Sequence, residues 1–415
     1  MFRLWAGVGR LIAPGLRLAL RRRARRGKEV PARLPEREGI DPTPRPDGKL
    51  IWFHAASMGE SLSILPVLEE LPRHLTLLVT TGTVTSAITL TDRMAQLGLR
   101  NALHRFVPLD VPAWAARFLD HWRPDAAVFV ESELWPNLLA ACERRRIPLL
   151  LVNARMSERS FRGWRRAPGL SAQLLGLFAR IHPQSPADGD RLRALGATRL
   201  EAPGNLKLSA APLPADDGEL ARLRPLLADH PVWLAASTHP GEEAVAAAVH
   251  RRLVPEWPGL VTVIAPRHAE RGTGLAGELG AARRGAGEDP VPGGIWIADT
   301  MGELGLLYRL CPIVLVGRSL VGQGGQNPLE PARLGCAVVV GPFTQNFRDP
   351  VRLLCDAGAL TVVADEDALA RWVAALLRDT ERRLALGEAG RAASSGDMTL
   401  PGRIAALVMN TAGLS

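Results

Sequence analysis

Two series of short apolar segments, each alternating with helical patterns, constrain the fold of this chain more than any other feature. The first series comprises residues 50–54, 75–80, 126–130, 148–153 and 179–183, and the second comprises 232–237, 260–265, 294–298, 312–317, 336–341 and 359–363. Most are continuous apolar runs, which is typical of parallel strands that are covered on both faces. Repeated strand–helix–strand units therefore predict an α/β protein with doubly wound parallel sheets.

The stretch between the two series predicts the domain organisation. Residues 203–230 contain a Pro-Gly pair, a Pro-Leu-Pro segment and an Asp-Asp-Gly turn signal, and a chain of 415 residues is long enough for two cores. We expect two Rossmann-like domains, 41–206 and 231–415, to face a cleft and to be joined by a linker at 207–230. Two or three helices are predicted in the C-terminal stretch, over about residues 366–410.

The positive charge of the chain is concentrated at its N-terminus. Residues 1–40 hold eleven basic and three acidic side chains, so they carry +8 of the net charge of +9. Such an arm could bind nucleic acid or anionic lipid, and the Pro-rich stretch 41–48 that follows it predicts a linker.

The apolar residues of this arm favour lipid over nucleic acid. They fall largely on one side of a predicted helix, whereas Arg3, Arg10 and Arg17 recur every seven residues on another side; the apolar set is Phe2, Leu4, Trp5, Val8, Leu11, Ile12, Leu16 and Leu20. This pattern is typical of a helix lying in the headgroup layer of an anionic membrane. A cleaved signal peptide and a basic surface helix are the alternatives, and no apolar run reaches the roughly 18 residues of a conventional span.

Metal and disulfide chemistry are not expected. The four cysteines form no C-x-x-C pair, which indicates reduced thiols in the cytosol, and the nine histidines show no metal-ligand spacing. Two D-x-D triplets, Asp188–Asp190 and Asp365–Asp367, each precede an apolar helical pattern, so we expect helix N-capping there.

Three polar residues, two in the first domain and one at the start of the linker, are candidates for catalysis. Glu60 follows the strand 50–54 and opens a helix, where it is either a partner of the helix dipole or a general base. Glu131 comes directly after the strand 126–130, followed by Glu133, and both either open a helix or support a substrate. Lys207 is one of only three lysines beside 48 arginines; this rarity favours a chemical role over a solvated surface position.

The polar clusters of the second domain suggest an anion site. Ser237 and Thr238 end one strand, and Arg267 and His268 end the next. A glycine loop containing Gly322, Gly324 and Gly325 precedes the segment 327–330, in which Glu330 opens a helix. A glycine loop lets backbone amides approach a phosphate, and a glutamate at this position can accept hydrogen bonds from ribose hydroxyls.

Taken together, these clusters closely resemble the 3-deoxy-D-manno-octulosonic acid (Kdo) transferases of lipopolysaccharide biosynthesis. The resemblance runs in order from about residue 50 to 350 through the segments HAASMGE, TTGTVTSA, ESELWPN, NARMSERSF, GNLK, APRH, TMGEL and GGQNPLE. It implies a GT-B glycosyltransferase with an acceptor domain followed by a donor domain. It also implies CMP-Kdo as donor, a lipid A precursor as acceptor, no metal or other cofactor, and attachment to the cytoplasmic face of the inner membrane.

The resemblance also implies roles for particular residues. Glu60 matches the catalytic base, and Glu131 and Lys207 match positions that stabilise the transition state. The segments that match CMP binding are Pro266, Arg267, Met301, Gly302, Glu303, Asn327, Pro328, Leu329 and Glu330. Gln326 stands where family members often have histidine; it can hydrogen-bond but carries no charge.

Two other functions fit parts of the pattern. A sugar-nucleotide epimerase could share the twin-domain architecture, but it would not need a membrane arm. A non-catalytic lipid-binding scaffold would explain the arm but not the ordered polar clusters at the strand ends. The sequence therefore favours an inverting, metal-independent transferase acting at an anionic membrane surface, with no nucleic-acid partner.

Overall fold

The strands of a computed structural model, which describes residues 2–209, 211–322 and 324–414, form two parallel sheets. The first sheet has the order β3-β2-β1-β4-β5-β6, and the second has the order β13-β12-β11-β7-β8-β10-β9. The strands are β1 (Leu50–His54), β2 (Thr76–Thr81), β3 (Ala102–Phe106), β4 (Ala126–Val130), β5 (Leu149–Ala154), β6 (Phe178–Pro183), β7 (Val232–Thr238), β8 (Val261–Pro266), β9 (Ala282–Arg283), β10 (Ile295–Ile297), β11 (Ile313–Val316), β12 (Ala337–Val340) and β13 (Leu360–Val362).

Helices connect nearly all of these strands. They are α1 (Phe2–Arg25), α2 (Met58–Ser63), α3 (Leu65–Glu70), α4 (Val84–Gln96), α5 (Pro112–Trp122), α6 (Pro136–Arg144), α7 (Glu158–Trp164), α8 (Pro168–Leu175), α9 (Pro186–Ala194), α10 (Asp217–Leu227), α11 (Glu242–Leu253), α12 (Gly272–Leu279), α13 (Leu304–Leu310), α14 (Leu329–Arg333), α15 (Arg348–Asp356), α16 (Glu366–Arg378), α17 (Thr380–Ser394) and α18 (Leu400–Ala412). Short 3₁₀ helices occur at Pro31–Glu38, Ala269–Arg271, Arg284–Ala286 and Gln345–Phe347.

Each sheet reverses its winding direction at one point. In the first sheet the chain moves outward from β1 through β2 to β3, then returns to the other side of β1 with β4. In the second sheet the same reversal separates β7 and β11. Ligands of open parallel sheets bind beyond the carboxyl ends of the strands at this switch point. The loops after β1 and β4, and those after β7 and β11, are therefore where sites are expected.

The predicted strands are confirmed to within a residue or two, but the sequence missed two edge strands. β3 contains His104 and Arg105, and only two of its five residues are buried, so it lacks the apolar run that marks the others. β9 has two residues. The prediction of two or three C-terminal helices is confirmed, since α16, α17 and α18 occupy this stretch.

The domain bounds differ from those expected. The chain divides into a first unit, Met1–Ala210 with Gly396–Ser415, and a second unit, Ala211–Ser395. Within the expected linker, α10 packs against α13 of the second unit. At the other end, α18 buries Leu400, Ile404 and Val408 in the core of the first sheet. The apolar face of α18 is buried only by packing on the first sheet. This contact could not be predicted from the order of elements along the chain.

The N-terminal arm is also more integrated than expected. Glu29 and Arg37 form an ion pair of 3.0 Å, with Arg37 only 2% exposed, and Arg37 Nη2 also donates to the carbonyl of Gly82 at 2.7 Å. The stretch 41–48 is not a free linker, because Asp41 pairs with Arg105 and Arg45 donates to the carbonyl of Trp122. Residues 29–48 thus belong to the first unit, and removing residues 1–40 would break its core contacts.

The helices of the structure include none that is long and apolar enough to cross a membrane, over the residues described. The side chains of Phe2, Arg3 and Leu4, which were part of the predicted amphipathic pattern, lie outside the described residues.

The buried ion pair between Glu29 and Arg37 should contribute to the stability of the first unit. Replacing one partner of a buried ion pair leaves the other charge uncompensated, at a cost of about 3–5 kcal/mol. We expect Glu29→Ala to lower the free energy of unfolding by that amount in a denaturant titration. The matched control is Glu38→Ala, which removes an exposed pair with Arg17 and should have little effect. Equal effects of the two substitutions would contradict this role of the pair.

Candidate active site

The turn after β1 holds Glu60 in a buried position. Ser57 caps α2 by accepting from the Glu60 backbone N–H, and its hydroxyl donates to Glu60 Oε1 at 2.7 Å. The backbone N–H of Ala56 donates to Glu60 Oε2 at 2.8 Å. Glu60 is 8% exposed. Both carboxylate oxygens are thus oriented by short local hydrogen bonds, which a reciprocal N-capping arrangement provides.

Burial controls the protonation of Glu60. It raises the pKa of the Glu60 carboxyl from 4.5 to about 6, and the negative charges of Glu131 and Glu133 add to this effect. The hydrogen bonds from Ser57 and Ala56 oppose it only in part. A general base works best when its pKa lies near the working pH. Glu60 therefore has both the orientation of a capping residue and the proton affinity of a base.

Glu131 and Lys207 meet beside this turn. Glu131 directly follows β4, with its backbone in the left-handed region (φ 60°), and Lys207 Nζ lies 2.5 Å from its Oε1. The Lys207 side chain is 16% exposed, and a Cβ placed on Gly59 would lie 3.9 Å from Nζ. Lys207 is thus not a solvated surface lysine. A non-glycine residue at positive φ is strained, and such strain is frequent at functional sites.

Glu133 is held by a buried histidine at the end of β1. Burial would raise the pKa of Glu133, but His54 and the indole N–H of Trp135 bring that pKa below its ordinary value. His54 is fully buried, with Nδ1 3.1 Å from Thr80 Oγ1 and Nε2 3.5 Å from Glu133 Oε2. No role was predicted for His54 from the sequence; its place as the polar last residue of a buried strand was the available signal.

The CMP-binding candidates of the second unit follow three strands of the same sheet. Pro266 is the last residue of β8 and Arg267 follows it, Met301–Glu303 follow β10, and Asn327–Glu330 come after β11. The order β11-β7-β8-β10 brings these three segments to one edge of the sheet. Their sequence separation exceeds 60 residues, so only the parallel pairing places them together.

The side chains of these segments are held in different ways. Both carboxylate oxygens of Glu303 contact Arg284 at 2.5 Å, and Arg284 lowers the pKa of Glu303. This pair fixes the turn in which Met301 is exposed and Gly302 has positive φ. Asn327 Oδ1 accepts from the Leu329 N–H at 3.2 Å, and Asn327 Nδ2 lies 3.4 Å from Glu330 Oε1.

The glycine loop before these residues requires glycine. Gly322, Gly324 and Gly325 have φ values of 58°, 97° and 81°, and a Cβ on Gly324 would lie 2.6 Å from the Asn346 side chain. Gln323, within this loop, lies outside the described residues.

Sequence reasoning missed Glu242, the residue that joins the two loops at the second switch point. Its carboxylate is fully buried and accepts four backbone hydrogen bonds, from the N–H groups of His239 (3.0 Å), Arg318 (2.6 Å), Ser319 (2.9 Å) and Leu320 (2.9 Å). The turn after β7 is thereby tied to the turn after β11. A glutamate in the first turn of a helix gives no sequence signal for this role, because such residues are common partners of the helix dipole.

The D-x-D triplets lie at helix N-termini. Asp365 caps α16 by accepting from the Ala368 N–H, as predicted. For α9 the capping residue is Ser185, while Asp188 lies in the first turn and accepts from the Met156 N–H. Over the described residues, no group of three His, Cys, Asp or Glu side chains is placed to hold a metal ion.

Known proteins are similar in sequence to this chain over most of its length. A 3-deoxy-D-manno-octulosonic acid transferase of Haemophilus influenzae is 35% identical over 86% of this chain and 86% of its own length. The 3-deoxy-D-manno-octulosonic acid transferase of Bordetella pertussis is 35% identical over 92% of this chain and 92% of its own length. The chain belongs to the Kdo transferase family. The family model described as 3-deoxy-D-manno-octulosonic-acid transferase (kdotransferase) matches residues 32–210 of this family member.

The fold of this Kdo transferase family member is that of the GT-B glycosyltransferases. MurG of Acinetobacter baumannii aligns with a TM-score of 0.52 at 14% identity, over 88% of this chain and all of MurG. A UDP-GlcNAc 2-epimerase of Neisseria meningitidis aligns with a TM-score of 0.50 at 12% identity, over 87% of this chain and 99% of that chain. Transferase and epimerase thus share the fold, and sequence similarity rather than fold separates them here.

The raised pKa of Glu60 predicts a pH-dependent stability. A carboxyl whose folded pKa exceeds its unfolded value stabilises the fold when protonated, and this contribution is lost as the pH rises through the folded pKa. The free energy of unfolding should therefore fall by about 2 kcal/mol relative to Glu60→Gln as the pH rises from about 4.5 to above 6. Denaturant titrations at several pH values measure this difference. If the free energy of unfolding changed with pH in the same way for wild type and Glu60→Gln, the raised pKa of Glu60 would be contradicted.

Proposed function

We propose that the chain is an inverting, metal-independent transferase that moves Kdo from CMP-Kdo to a lipid A precursor in lipopolysaccharide biosynthesis. Membership in the Kdo transferase family supports this proposal. The observation that carries the chemistry is the buried Glu60 carboxyl, with its pKa of about 6, next to the Glu131–Lys207 pair.

Glu60 acts as the base. An acceptor hydroxyl becomes an effective nucleophile while its proton is being removed, so the proton passes to the Glu60 carboxylate as the oxygen attacks the anomeric carbon. The bond from that carbon to the CMP phosphate breaks as the new glycosidic bond forms. A single displacement of this kind inverts the anomeric configuration. Ser57 and Ala56 hold the Glu60 oxygens in fixed positions, which lowers the cost of orienting them.

Lys207 and Glu131 supply a fixed charge pair beside the base. Glu131 neutralises part of the ammonium charge, and the rest can stabilise negative charge on the substrates in the transition state. The contact of Lys207 with Glu131 also limits the motion of its long side chain. A preoriented charge in a partly buried position stabilises a transition state more than a solvated one does.

The second unit binds the donor. Arg267 and the turn Met301–Glu303 follow neighbouring strands, and Asn327–Glu330 begin α14 at the same edge. The donor has a single phosphate, so arginine and backbone N–H groups can offset its charge without a divalent cation. The epimerase alternative is not favoured, because the relatives that match most of the chain are Kdo transferases. A lipid-binding scaffold would not need a base with an adjusted pKa.

The N-terminal helix is proposed to rest on the anionic cytoplasmic face of the inner membrane. One face of α1 packs on α5 and α6, with Leu20 and Gly9 buried. Four other apolar residues of the helix, Val8, Leu11, Ile12 and Leu18, are between 45% and 83% exposed, and Leu11 and Leu18 lie opposite Gly9 and Leu20. A group of exposed arginines follows at its end: Arg21, Arg22, Arg25 and Arg26. Apolar side chains flanked by arginines suit the headgroup layer of an anionic leaflet.

This arrangement predicts that single-face substitutions, rather than truncation, release the protein from membranes. The double substitution Leu11→Asn and Leu18→Asn should weaken binding to vesicles containing anionic lipid by at least about tenfold, because two exposed apolar side chains no longer enter the bilayer. Co-sedimentation measures the binding. The control is Ile88→Asn, which changes an exposed apolar residue on α4 and should bind as wild type does. Unchanged co-sedimentation of the double variant would rule out this face.

The transfer reaction tests the base. Glu60→Gln keeps size and hydrogen-bonding capacity but cannot take a proton, so turnover should fall by at least about a hundredfold at saturating CMP-Kdo and lipid acceptor. CMP binding and the melting temperature should not fall. Glu143→Gln, an exposed glutamate on α6, is the control. Acceptor-dependent CMP release is the measurement, and turnover of Glu60→Gln within a few-fold of wild type would remove Glu60 from the mechanism.

A further inference from the structure

Arg318 stands at the second switch point in a backbone conformation that favours glycine. Its φ is 58°, directly after β11 and Gly317. The conformation is held from both sides, since the Arg318 N–H donates to Glu242 Oε2 at 2.6 Å and its carbonyl accepts from the Gly325 N–H at 2.7 Å. A side chain on this strained backbone is tolerated only where the surroundings determine it, and such positions cluster at ligand sites.

The Arg318 side chain has unused hydrogen-bonding capacity. Its Nε is buried and has no hydrogen-bond partner among the described residues. Burial lowers the pKa of Arg318, and the nearby charge of Arg267 lowers it further. The carboxylate that faces this arginine, Glu242, already accepts four backbone hydrogen bonds. Its lone pairs are therefore largely engaged by other donors.

A second unused donor or acceptor lies in the same place. His239 Nε2 is buried and, over the described residues, also without a hydrogen-bond partner. Burial lowers the pKa of His239, and the charges of Arg318, His268 and Arg267 contribute. The His239 and His268 rings lie 5.8 Å apart, edge to face. Arg267, Arg318 and the two histidines thus gather beside Glu242, and Glu270 lies 3.7 Å from His268 Nδ1.

The position of this cluster is that of a ligand site. It lies beyond the carboxyl ends of β7, β8 and β11, where ligands of open parallel sheets bind. Gln326, which follows Gly325 in the adjoining loop, is neutral, so the arginines of this cluster are Arg267 and Arg318. A guanidinium matches the geometry of a phosphate with two parallel hydrogen bonds.

We propose that Arg318, assisted by His239, binds the phosphate group of the nucleotide donor. This inference rests on the proposed function and adds a recognition residue to it. Arg318 acts on the phosphate and not on the base or the ribose. Its removal should therefore weaken binding of a nucleoside monophosphate but not of the nucleoside.

The test uses Arg318→Gly in the full chain. Glycine adopts φ near 58° without strain, so the variant should keep the loop, and its melting temperature should be equal to or higher than that of wild type. Calorimetry should show CMP binding weakened by about ten- to a hundredfold, with cytidine binding unchanged. Arg318→Lys, which keeps a positive charge, should recover part of the affinity for CMP.

Arg252→Ala is the control for a general loss of positive charge. Arg252 lies in the last turn of α11 and pairs with Asp367 on the surface, so its variant should bind CMP as wild type does. If Arg318→Gly bound CMP within twofold of the wild-type affinity, the role of Arg318 would be overturned, whereas the proposed function would stand. If wild type bound UMP but not CMP, with the same loss in Arg318→Gly, the phosphate site would stand and the proposed donor would fall. Failure of wild type to bind either nucleotide would overturn both.

Discussion

Parallel pairing of all strands is the constraint on which the rest of this protein depends. Because every strand runs in the same direction within its sheet, the loops that follow the strands emerge at one edge, and the reversals at β1/β4 and β7/β11 open that edge to a ligand. Glu60 and Glu131 are 71 positions apart in sequence, but they follow adjacent strands. In the second unit, the segments after β8, β10 and β11 likewise reach one edge of the sheet, where β7 lies between β11 and β8.

The two units share this geometry, but glutamates predominate at the first switch point whereas arginines and histidines predominate at the second. At the first switch point, three glutamates, Glu60, Glu131 and Glu133, are set against Lys207 and His54. Burial and like charges there raise the proton affinity of Glu60. At the second switch point, Arg267, Arg318 and two histidines surround Glu242, whose oxygens hold the backbone. A buried carboxyl with a raised pKa and a cluster of arginines and histidines are thus built on two similar frameworks.

The N-terminal arm combines attachment to the first unit with an outward-facing surface. The buried Glu29–Arg37 pair and the packing of α1 on α5 and α6 fix the arm, while its apolar residues on the other side stay exposed. A rigidly docked helix has a defined orientation relative to the sheet, which a flexible tether would not give. The arm is therefore best described as part of the first unit and not as a separate segment.

The sequence by itself determined the strand pattern, the twin-sheet architecture, the family and most of the candidate site, because continuous apolar runs and short motifs are local properties. It could not determine the edge strands β3 and β9, the return of α18 to the first core, or the docking of the arm, since each depends on a partner distant in the chain. Glu60 illustrates the limit most clearly. Its position at a helix start left capping and catalysis equally open, and only burial among Glu131 and Glu133 decided the proton affinity of the carboxyl. Arg318 and Glu242 likewise acquire meaning only where two loops meet, because the sequence carries no sign of backbone conformation or of hydrogen bonds between distant turns.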